Sequence, residues 1–535
     1  MTPVLRSRVL PNAYRDSVEL MRIAAEVERM AGVARAGIVM ATEANLAVLA
    51  DAGLLDRMIT AARPNDLVIA VTATDEESAA AALDRAEGFL AGSARDRPSA
   101  HREHAATTLY EGLAEAPEAN LALISTPGTY ATAEALKALK RGLNVFLFSD
   151  NVPLADEIEL KRLADRKGLL VMGPDCGTAI LDGVPLGFAN VVRDGRIGLI
   201  GASGTGLQQV SCLIDRLGEG ISQAIGTGGR DFHEQVGGIM ALSALRRLAS
   251  DEGTSVVVLI SKPPADPVAR RVLAAASACS KPVVVNFLGQ DGAAIEAFGA
   301  VPAFTFEEAA LQAVALLRGA PKAEVALMGG NREEDSTRAL GLHLAPGQDK
   351  VRGLYCGGSL AGEARLVLRD VLGEARAAKQ TIIDLGDDEY TIGRPHPMID
   401  PRLRNQHVVD AAGDPSVAVI LLDVVLGYNA HPDPAGALVP ALDEARREAE
   451  RAGRRVAVVA SVCGTPADPQ NLRRQEAALT SAGVLLAPSN AQAANLAARI
   501  VRGLPLGAES PMIHRGDSSR PGRCESTGGG LGEGS

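Results

Sequence analysis

Apolar and polar positions divide the chain into short β-rich runs and longer segments whose apolar residues recur three and four apart. Val18 to Met30 has an amphipathic helical pattern behind the capping residues Asp16 and Ser17. Gly32 to Met40 reads as strand, Asn45 to Leu55 as helix, Asp66 to Val71 as strand and Glu76 to Leu90 as helix. These elements predict a small α+β unit of βαβ-like order over residues 1–92, with no evident chemistry of its own. Residues 93–117 are polar, charged and unpatterned, and read as a linker. From Asn120 the period returns: NLALIS, the helical stretch Ala131 to Arg141, NVFLFS, Leu154 to Lys167 and GLLVMGPDCGTAI predict a doubly wound domain over 118–193. Two further α/β modules are expected at 194–319 and 350–505, joined by a linker at 320–349. Residues 506–535 are low-complexity and expected to be disordered.

The two modules share a corner. In RIGLIGASGTG, from Arg196 to Gly206, a β-rich run enters a turn of small residues, and Leu207 to Leu217 continues with helical spacing. Such a strand-to-helix corner points free N–H groups and a positive dipole end outward, which suits an anion. VRGLYCGGSLAGE, from Val351 to Glu363, repeats the arrangement, with Ser359 placed 156 residues after Ser203. The same shift aligns Arg196 with Arg352, Gly201 with Gly357, and Asp231 in GTGGRDFHE with Asp387 in DLGDDEY. The repeat predicts a pseudo-twofold pair of modules whose anion-binding turns face one cleft.

Composition narrows the partners. The chain has 535 residues, 47% of them hydrophobic, with 3% aromatic residues and no Trp, so its cores are expected to be Ala, Val, Leu and Ile. A net charge of −11 argues against nucleic acid or an acidic membrane surface. No apolar run reaches the roughly eighteen residues of a spanning helix, and the N-terminus has no signal core, so a cytoplasmic protein is expected. The six cysteines are dispersed with no CxxC pair, so no metal site is predicted.

With these segments in view, Asn120 to Gly319 resembles the α subunit of succinyl-CoA synthetase, and Val351 to Gly503 is similar to the carboxy-terminal domain of its β subunit. The segments that carry the likeness are MGPDCGTAI, GRIGLIGASGTG, GTGGRD and CGGSLAGE. Together with the opening Tyr14 to Met21, the order resembles the FdrA proteins of the acyl-CoA synthetase superfamily over about residues 1 to 505. The resemblance implies an α/β fold: a CoA-binding Rossmann-like domain (118–193) followed by two flavodoxin-like doubly wound parallel-sheet modules. It also implies that the corners hold phosphate through Ser203, Gly204, Thr205 and Gly206 on one side and Gly357, Gly358 and Ser359 on the other. The synthetases carry a phosphohistidine in a GHAGA segment, whereas the corresponding KPVVVNFLGQDGAAIEAFGAV here has no histidine. An ATP-grasp domain and the glycine-rich first turn of the CoA-binding domain are also missing from the pattern.

Other candidates come from polar residues near expected strand exits. His233, Arg230 and Asp231 follow the first module's second strand. His396, Asp400, Arg402, Arg404, Asn405 and His407 are expected in one proline-broken loop, HPMIDPRLRNQH. Asn429 and His431 leave the next strand. His233, His396 and His431 are the candidate proton carriers. Arg230, Asp231, Asn405 and Asn429 are the candidate substrate ligands, with Arg352 a further possible anion clamp. Cys356 reads as a buried small residue rather than a nucleophile, and Asp335 to Arg338 as a chance likeness to a transcarbamylase phosphate motif.

The resemblance to FdrA implies a subunit of a carbamoyltransferase complex that converts oxalurate and phosphate to oxamate and carbamoyl phosphate. A CoA-dependent ligase relying on partner subunits and a non-catalytic scaffold are the alternatives. No cofactor is fixed: phosphate or carbamoyl phosphate is expected as substrate, and CoA belongs to the ligase alternative. The expected partners are a small-molecule substrate and other protein subunits.

Overall fold

The computed structural model describes residues 3–15, 17–95, 106–321, 344–391 and 395–503. The expected cap Asp16, the segment Asp335 to Arg338 and the tail 506–535 lie outside the described residues.

The N-terminal unit is a three-stranded antiparallel sheet in which Val4–Leu10 (β1) and Val33–Met40 (β2) both flank Leu67–Ala73 (β3). The helix Ser17–Glu28 carries the chain from β1 to β2, and β3 inserts between them, which makes a split βαβ and corrects the simple βαβ-like expectation. β1 escaped the pattern because two charges interrupt it. Arg6 and Arg8 reach Glu76 (2.6 Å) and Glu87 (2.9 Å), while Leu5 and Val9 pack inward on the other face.

The next three strands, Leu121–Ile124 (β4), Asn144–Leu147 (β5) and Val171–Met172 (β6), form a small parallel sheet in that order. The following hairpin, Thr178–Leu181 (β7) and Val184–Gly187 (β8), leaves that sheet and joins the seven-stranded sheet of the first module. The sheets therefore part before Thr178 and not at the expected boundary after residue 193.

The first module adds Asp194–Gly201 (β9), Ile221–Gly226 (β10), Val256–Ser261 (β11), Val283–Phe287 (β12) and Val301–Pro302 (β13). The second contains Lys350–Tyr355 (β14), Thr381–Asp384 (β15), Val417–Val425 (β16), Ala457–Cys463 (β17) and Leu485–Ala487 (β18). Their parallel strands run β13-β12-β11-β9-β10 and β18-β17-β16-β14-β15, which is one order read twice: second, first, third, fourth, fifth. This is the flavodoxin-like winding, and it places a crevice beside the carboxyl end of the first strand of each module. β16 is buried at every position, as a parallel strand covered on both faces requires.

The modules meet through four helices. Gly204–Arg216 and Phe306–Arg318 of the first pack against Gly358–Leu372 and Asn490–Arg502 of the second, within one continuous core. Fully buried alanines, among them Ala310, Ala313, Ala361, Ala364, Ala494 and Ala497, let the backbones approach closely, which explains a core with so few aromatics. Polar pairs fix the register. Asn190 Nδ2 donates to Leu426 O (3.0 Å) and to Asp468 Oδ2 (2.9 Å), and Val191 N donates to Asp468 Oδ1 (2.7 Å). Glu363 accepts from Phe306 N (2.6 Å) and Asn490 Nδ2 (2.7 Å), and burial pushes its carboxyl up to about 7.

At the centre of this interface a Cβ on Gly357 would fall 2.8 Å from Thr205 Cγ2, so the two corners touch with no room for a side chain. Gly357→Ala is expected to wedge the modules apart and to cost on the order of 1–3 kcal/mol, as overpacking does. Urea unfolding of the two proteins measures it; equal midpoints would show that the corners are not in contact.

Candidate functional site

β9 delivers the chain into the turn Ala202-Ser203, and Ser203 caps the helix Gly204–Arg216 by accepting from Gly206 N at 2.9 Å. The same hydroxyl donates to Ser359 Oγ at 2.6 Å, so the two corners that lie 156 residues apart in sequence meet directly. Ser359 is the second residue of the helix Gly358–Leu372, whose cap, Gly357, has no side chain to offer. Asp423 on β16 fixes the turn that leads into it: its carboxylate accepts from Cys356 N and Gly357 N, each at 2.8 Å. Behind it, buried Arg404 donates to Asp423 O (2.7 Å) and to Cys356 Sγ (3.0 Å). Burial pushes the Asp423 carboxyl up to about 6, while Arg404 opposes the shift. The first-turn N–H groups of both helices have no acceptor within their own helix, and both positive dipole ends converge at the serine pair.

This point lies on the wall of a cavity of about 1120 Å³. The N-terminal unit contributes Arg15 and Met40, the small parallel sheet Gly128 and Asp175, the first module Arg230 and Lys262, and the second module Asp384 and His396. Lys262 follows β11 at the switch point beside β9. A Cβ on Gly358 would lie 2.2 Å from Asp384 Oδ2 and 3.4 Å from Lys262 Nζ, so these two groups flank the start of the second corner helix. Lys262 has no carboxylate partner among the described residues. Burial raises the Asp384 carboxyl, and the Gly386 N–H and Lys262 oppose it.

Asp175 is held at a left-handed φ of 53° by its N–H donating to Ser149 O at 3.0 Å. Its side chain is exposed at the cavity, with protein packed densely on the other sides. Burial, with help from Asp150 and Asp388, pushes it up to about 6 against Lys262 and Arg230. A strained backbone and a displaced carboxyl at one residue are features that functional sites concentrate. His396 accepts from Met398 N at its Nδ1 (3.2 Å), which leaves Nε2 toward Gly386; burial lowers the imidazole to about 4, so the ring is neutral at pH 7.

Ser203, Gly204, Thr205, Gly358, Ser359, Arg230, His233 and His396 all line the cavity. The other expected site residues are used elsewhere. Gly206 and Gly357 are consumed in the turns, where a Cβ on Gly206 would lie 2.4 Å from Ser203 Oγ. Asp231 is fully buried, bound by Lys161 Nζ at 2.9 Å, and accepts from Met240 N and Ala241 N at the start of the helix Ile239–Ser250. Its expected counterpart Asp387 is exposed, so the third equivalence between the modules fails. Arg402–Gly413 is a helix, which removes Arg404, Asn405 and His407 from the expected loop. Asn405 donates to Ala437 O (2.7 Å), and His407 stacks edge-on against Tyr390. Asn429 donates to Gly187 O (2.8 Å), and His431 accepts from Asp433 N (3.0 Å), which ties both to structural turns outside the cavity. Arg352 pairs with Asp414 at 3.1 Å, at the opposite end of β14 from the serine corner. Cys356 is buried, and burial pushes its thiol far above the usual range.

Sequence reasoning passed over Lys262, Asp384 and Asp175. Each follows or borders a parallel strand's carboxyl end, so strand order, once known, was the signal that would have found them. Lys262→Met is expected to weaken the binding of inorganic phosphate about tenfold, the order of one hydrogen bond to a charged group. Titration calorimetry at low salt reads this directly; unchanged affinity would remove Lys262 from the anion site.

Three family models match the chain: one described as CoA-ligase at residues 354–500, the CoA binding domain at 192–289, and the AllF heavy metal-associated domain at 1–107. The CoA binding match falls on the first module, whereas the sequence resemblance had placed CoA-binding character at 118–193. YahF of Escherichia coli (strain K12) is 41% identical over 509 residues, which span 92% of this chain and 98% of that protein. The α subunit of ADP-forming succinate–CoA ligase from Methanothermobacter thermautotrophicus is 28% identical over 155 residues, covering 28% of this chain and 52% of that subunit. Among solved structures, ATP citrate lyase from Methanothrix soehngenii in complex with citrate and coenzyme A aligns with 76% of this chain and 80% of its own, at 14% identity and a TM-score of 0.35. The chain belongs to the family of YahF, within the acyl-CoA synthetase superfamily that includes succinyl-CoA synthetase.

Proposed function

We propose that this chain is an FdrA-type subunit of a carbamoyltransferase that acts in allantoin degradation, taking oxalurate and phosphate to oxamate and carbamoyl phosphate. The observation that carries the reading is the meeting of two helix N-termini at Ser203 and Ser359, in a chain whose 281–301 segment has no histidine to phosphorylate. Without a phosphohistidine, phosphate itself is the reacting group. A phosphate oxygen attacks the ureido carbonyl carbon, the bond from that carbon to the oxamyl nitrogen breaks, and the proton lost by phosphate ends on that nitrogen. The corner N–H groups and serine hydroxyls hold the phosphate and spread its charge, with Lys262 beside them. Asp175 on the cavity wall, and Asp384 beside Lys262, accept from the carbamoyl NH2. A carbamoyl donor carries that NH2, and a simple acyl donor does not, so acid-lined walls favour the first over the second. The AllF name of the N-terminal family model agrees with this pathway.

The second reading is a CoA-dependent ligase that draws its nucleotide-handling parts from partner subunits. The CoA-ligase and CoA binding domain matches favour it. The two readings separate by assay. The full chain with its co-purified subunits is expected to release carbamoyl phosphate from oxalurate and phosphate without ATP or CoA. Ser203→Asp and Ser359→Asp, which put a carboxylate in the anion site, are each expected to reduce turnover at least a hundredfold, roughly the loss of one transition-state contact. Activity strictly dependent on ATP and CoA would establish the ligase instead. Turnover with both aspartate variants intact would leave the chain as scaffold.

A pH profile tests Asp175 separately. Its carboxyl ionises near 6, so an acceptor role predicts that kcat/KM falls as pH drops through that value. Asp175→Asn is expected to be slower and to lose that limb, while a limb that persists unchanged would assign it to another group.

A further inference from the structure

The N-terminal unit matches, over residues 1–107, a family model named for heavy-metal association; the two histidines of that span, His101 and His104, lie outside the described residues, and residues 1–95 contain neither cysteine nor histidine. Soft metal ions select thiolate, thioether and imidazole ligands, and of these residues 1–95 offer only methionine thioethers, a poor set for such an ion. Among the described residues of the whole chain, no group of three His, Cys, Asp or Glu is arranged to hold a metal. The unit is nevertheless built into the site. Tyr14 Oη donates to Ser125 O (3.0 Å), beside the helix Gly128–Lys140, and Glu28 pairs with Arg402 of the second module at 2.5 Å. These contacts seat Arg15, Met21, Ile38 and Met40 on the cavity wall.

Three basic side chains line the cavity, and their commitments differ. Arg230 is paired with buried Glu157 at 2.8 Å. Lys262 stands at the serine corners. Arg15 donates one hydrogen bond, to Tyr14 O at 2.9 Å, and has no carboxylate partner among the described residues. A guanidinium offers five donors in a planar fork, so most of its capacity remains for a ligand. The acids of the cavity, Asp150, Asp175, Asp384, Asp387 and Asp388, belong to the small parallel sheet and the second module; the N-terminal wall contributes only Glu43.

We infer that the N-terminal unit is the carboxylate-binding wall of this cavity rather than a metal module, with Arg15 receiving the carboxylate of a short organic substrate. Met21, Ile38 and Met40 bound the space beside it. A ligand with phosphate at the serine corners and a carboxylate at Arg15 uses both cations of the cavity that have no carboxylate partner among the described residues. This assignment rests on the carbamoyl-transfer reading and adds the residue that selects its organic substrate.

The test uses the full chain and three probes: inorganic phosphate, oxamate, and oxamide, in which an uncharged amide replaces the carboxylate. Wild type is expected to bind oxamate at least tenfold more tightly than oxamide. Arg15→Gln is expected to bring oxamate down to the oxamide level, Arg15→Lys to restore part of the difference, and phosphate affinity to stay within twofold in both. Oxamate binding unchanged in Arg15→Gln overturns the inference and leaves the phosphate site standing. So does wild-type binding of phosphate without preference for oxamate over oxamide. Failure of wild type to bind phosphate removes the carbamoyl-transfer reading itself, and this inference with it. Stoichiometric binding of Cu+ that is lost when Met21 and Met40 are replaced would return the unit to metal chemistry.

Discussion

Two like poles are pressed together at the centre of this molecule. The helices Gly204–Arg216 and Gly358–Leu372 each begin in N–H groups with no acceptor in their own helix, equivalent to about half a positive charge, and their starts meet at a 2.6 Å hydroxyl contact. Such an arrangement repels itself unless something holds it. The holding comes from elsewhere: the alanine-rich four-helix interface, the Asn190 and Asp468 pairings across it, and Asp423 beneath the second corner. The positive potential is thus fixed by packing before any anion arrives. That is preorganisation, in which folding has already met the cost of gathering the charge.

The asymmetry between the two corners follows from the same constraint. Ser203 caps its own helix, whereas Gly357 cannot, because any side chain there would strike Thr205. A carboxylate from the neighbouring strand holds the turn before the uncapped helix, and Arg404 compensates that buried charge. One steric fact at Gly357 therefore accounts for a buried acid, a buried arginine and the inert thiol of Cys356 that the arginine contacts. Within the second module, these groups serve the shape of the corner and not chemistry.

What could be read from the sequence was whatever obeys a local rule. The strand, small-residue turn and amphipathic helix at each corner is a local pattern, and its repetition at a fixed spacing revealed the paired modules before any coordinates. Asp231 and Asp387 share that spacing and still part company. Lys161, on a helix of the small parallel-sheet domain, pulls Asp231 into a buried network, and nothing equivalent covers Asp387. Equal spacing records common geometry, while environment is set by neighbours the spacing does not contain. The same reason hid Lys262, whose place depends on strand order. It also misplaced Asn405 and His407, where Pro401 starts a helix instead of prolonging a loop. His431 and Asn429 were sought at a strand exit, and the exit was found; their side chains turn to their own loop and to Gly187.

Charge balance across the cavity orders how a substrate would lie in it. On the carbamoyl-transfer reading, a phosphate dianion lies at the serine corners, where two helix ends and Lys262 offset Asp384, the acid that flanks the same helix start. The acids in turn suit N–H donors and disfavour a second anion in mid-cavity. On the same reading a carboxylate lies at the N-terminal wall, which contributes Arg15 and one acid, Glu43. Anion, amide and anion in sequence is the pattern of a carbamoyl group passing between phosphate and a short carboxylic amide. A CoA thioester presents no N–H at its reacting carbon, so on the proposed reading these acids have a partner in a carbamoyl donor that a thioester does not supply.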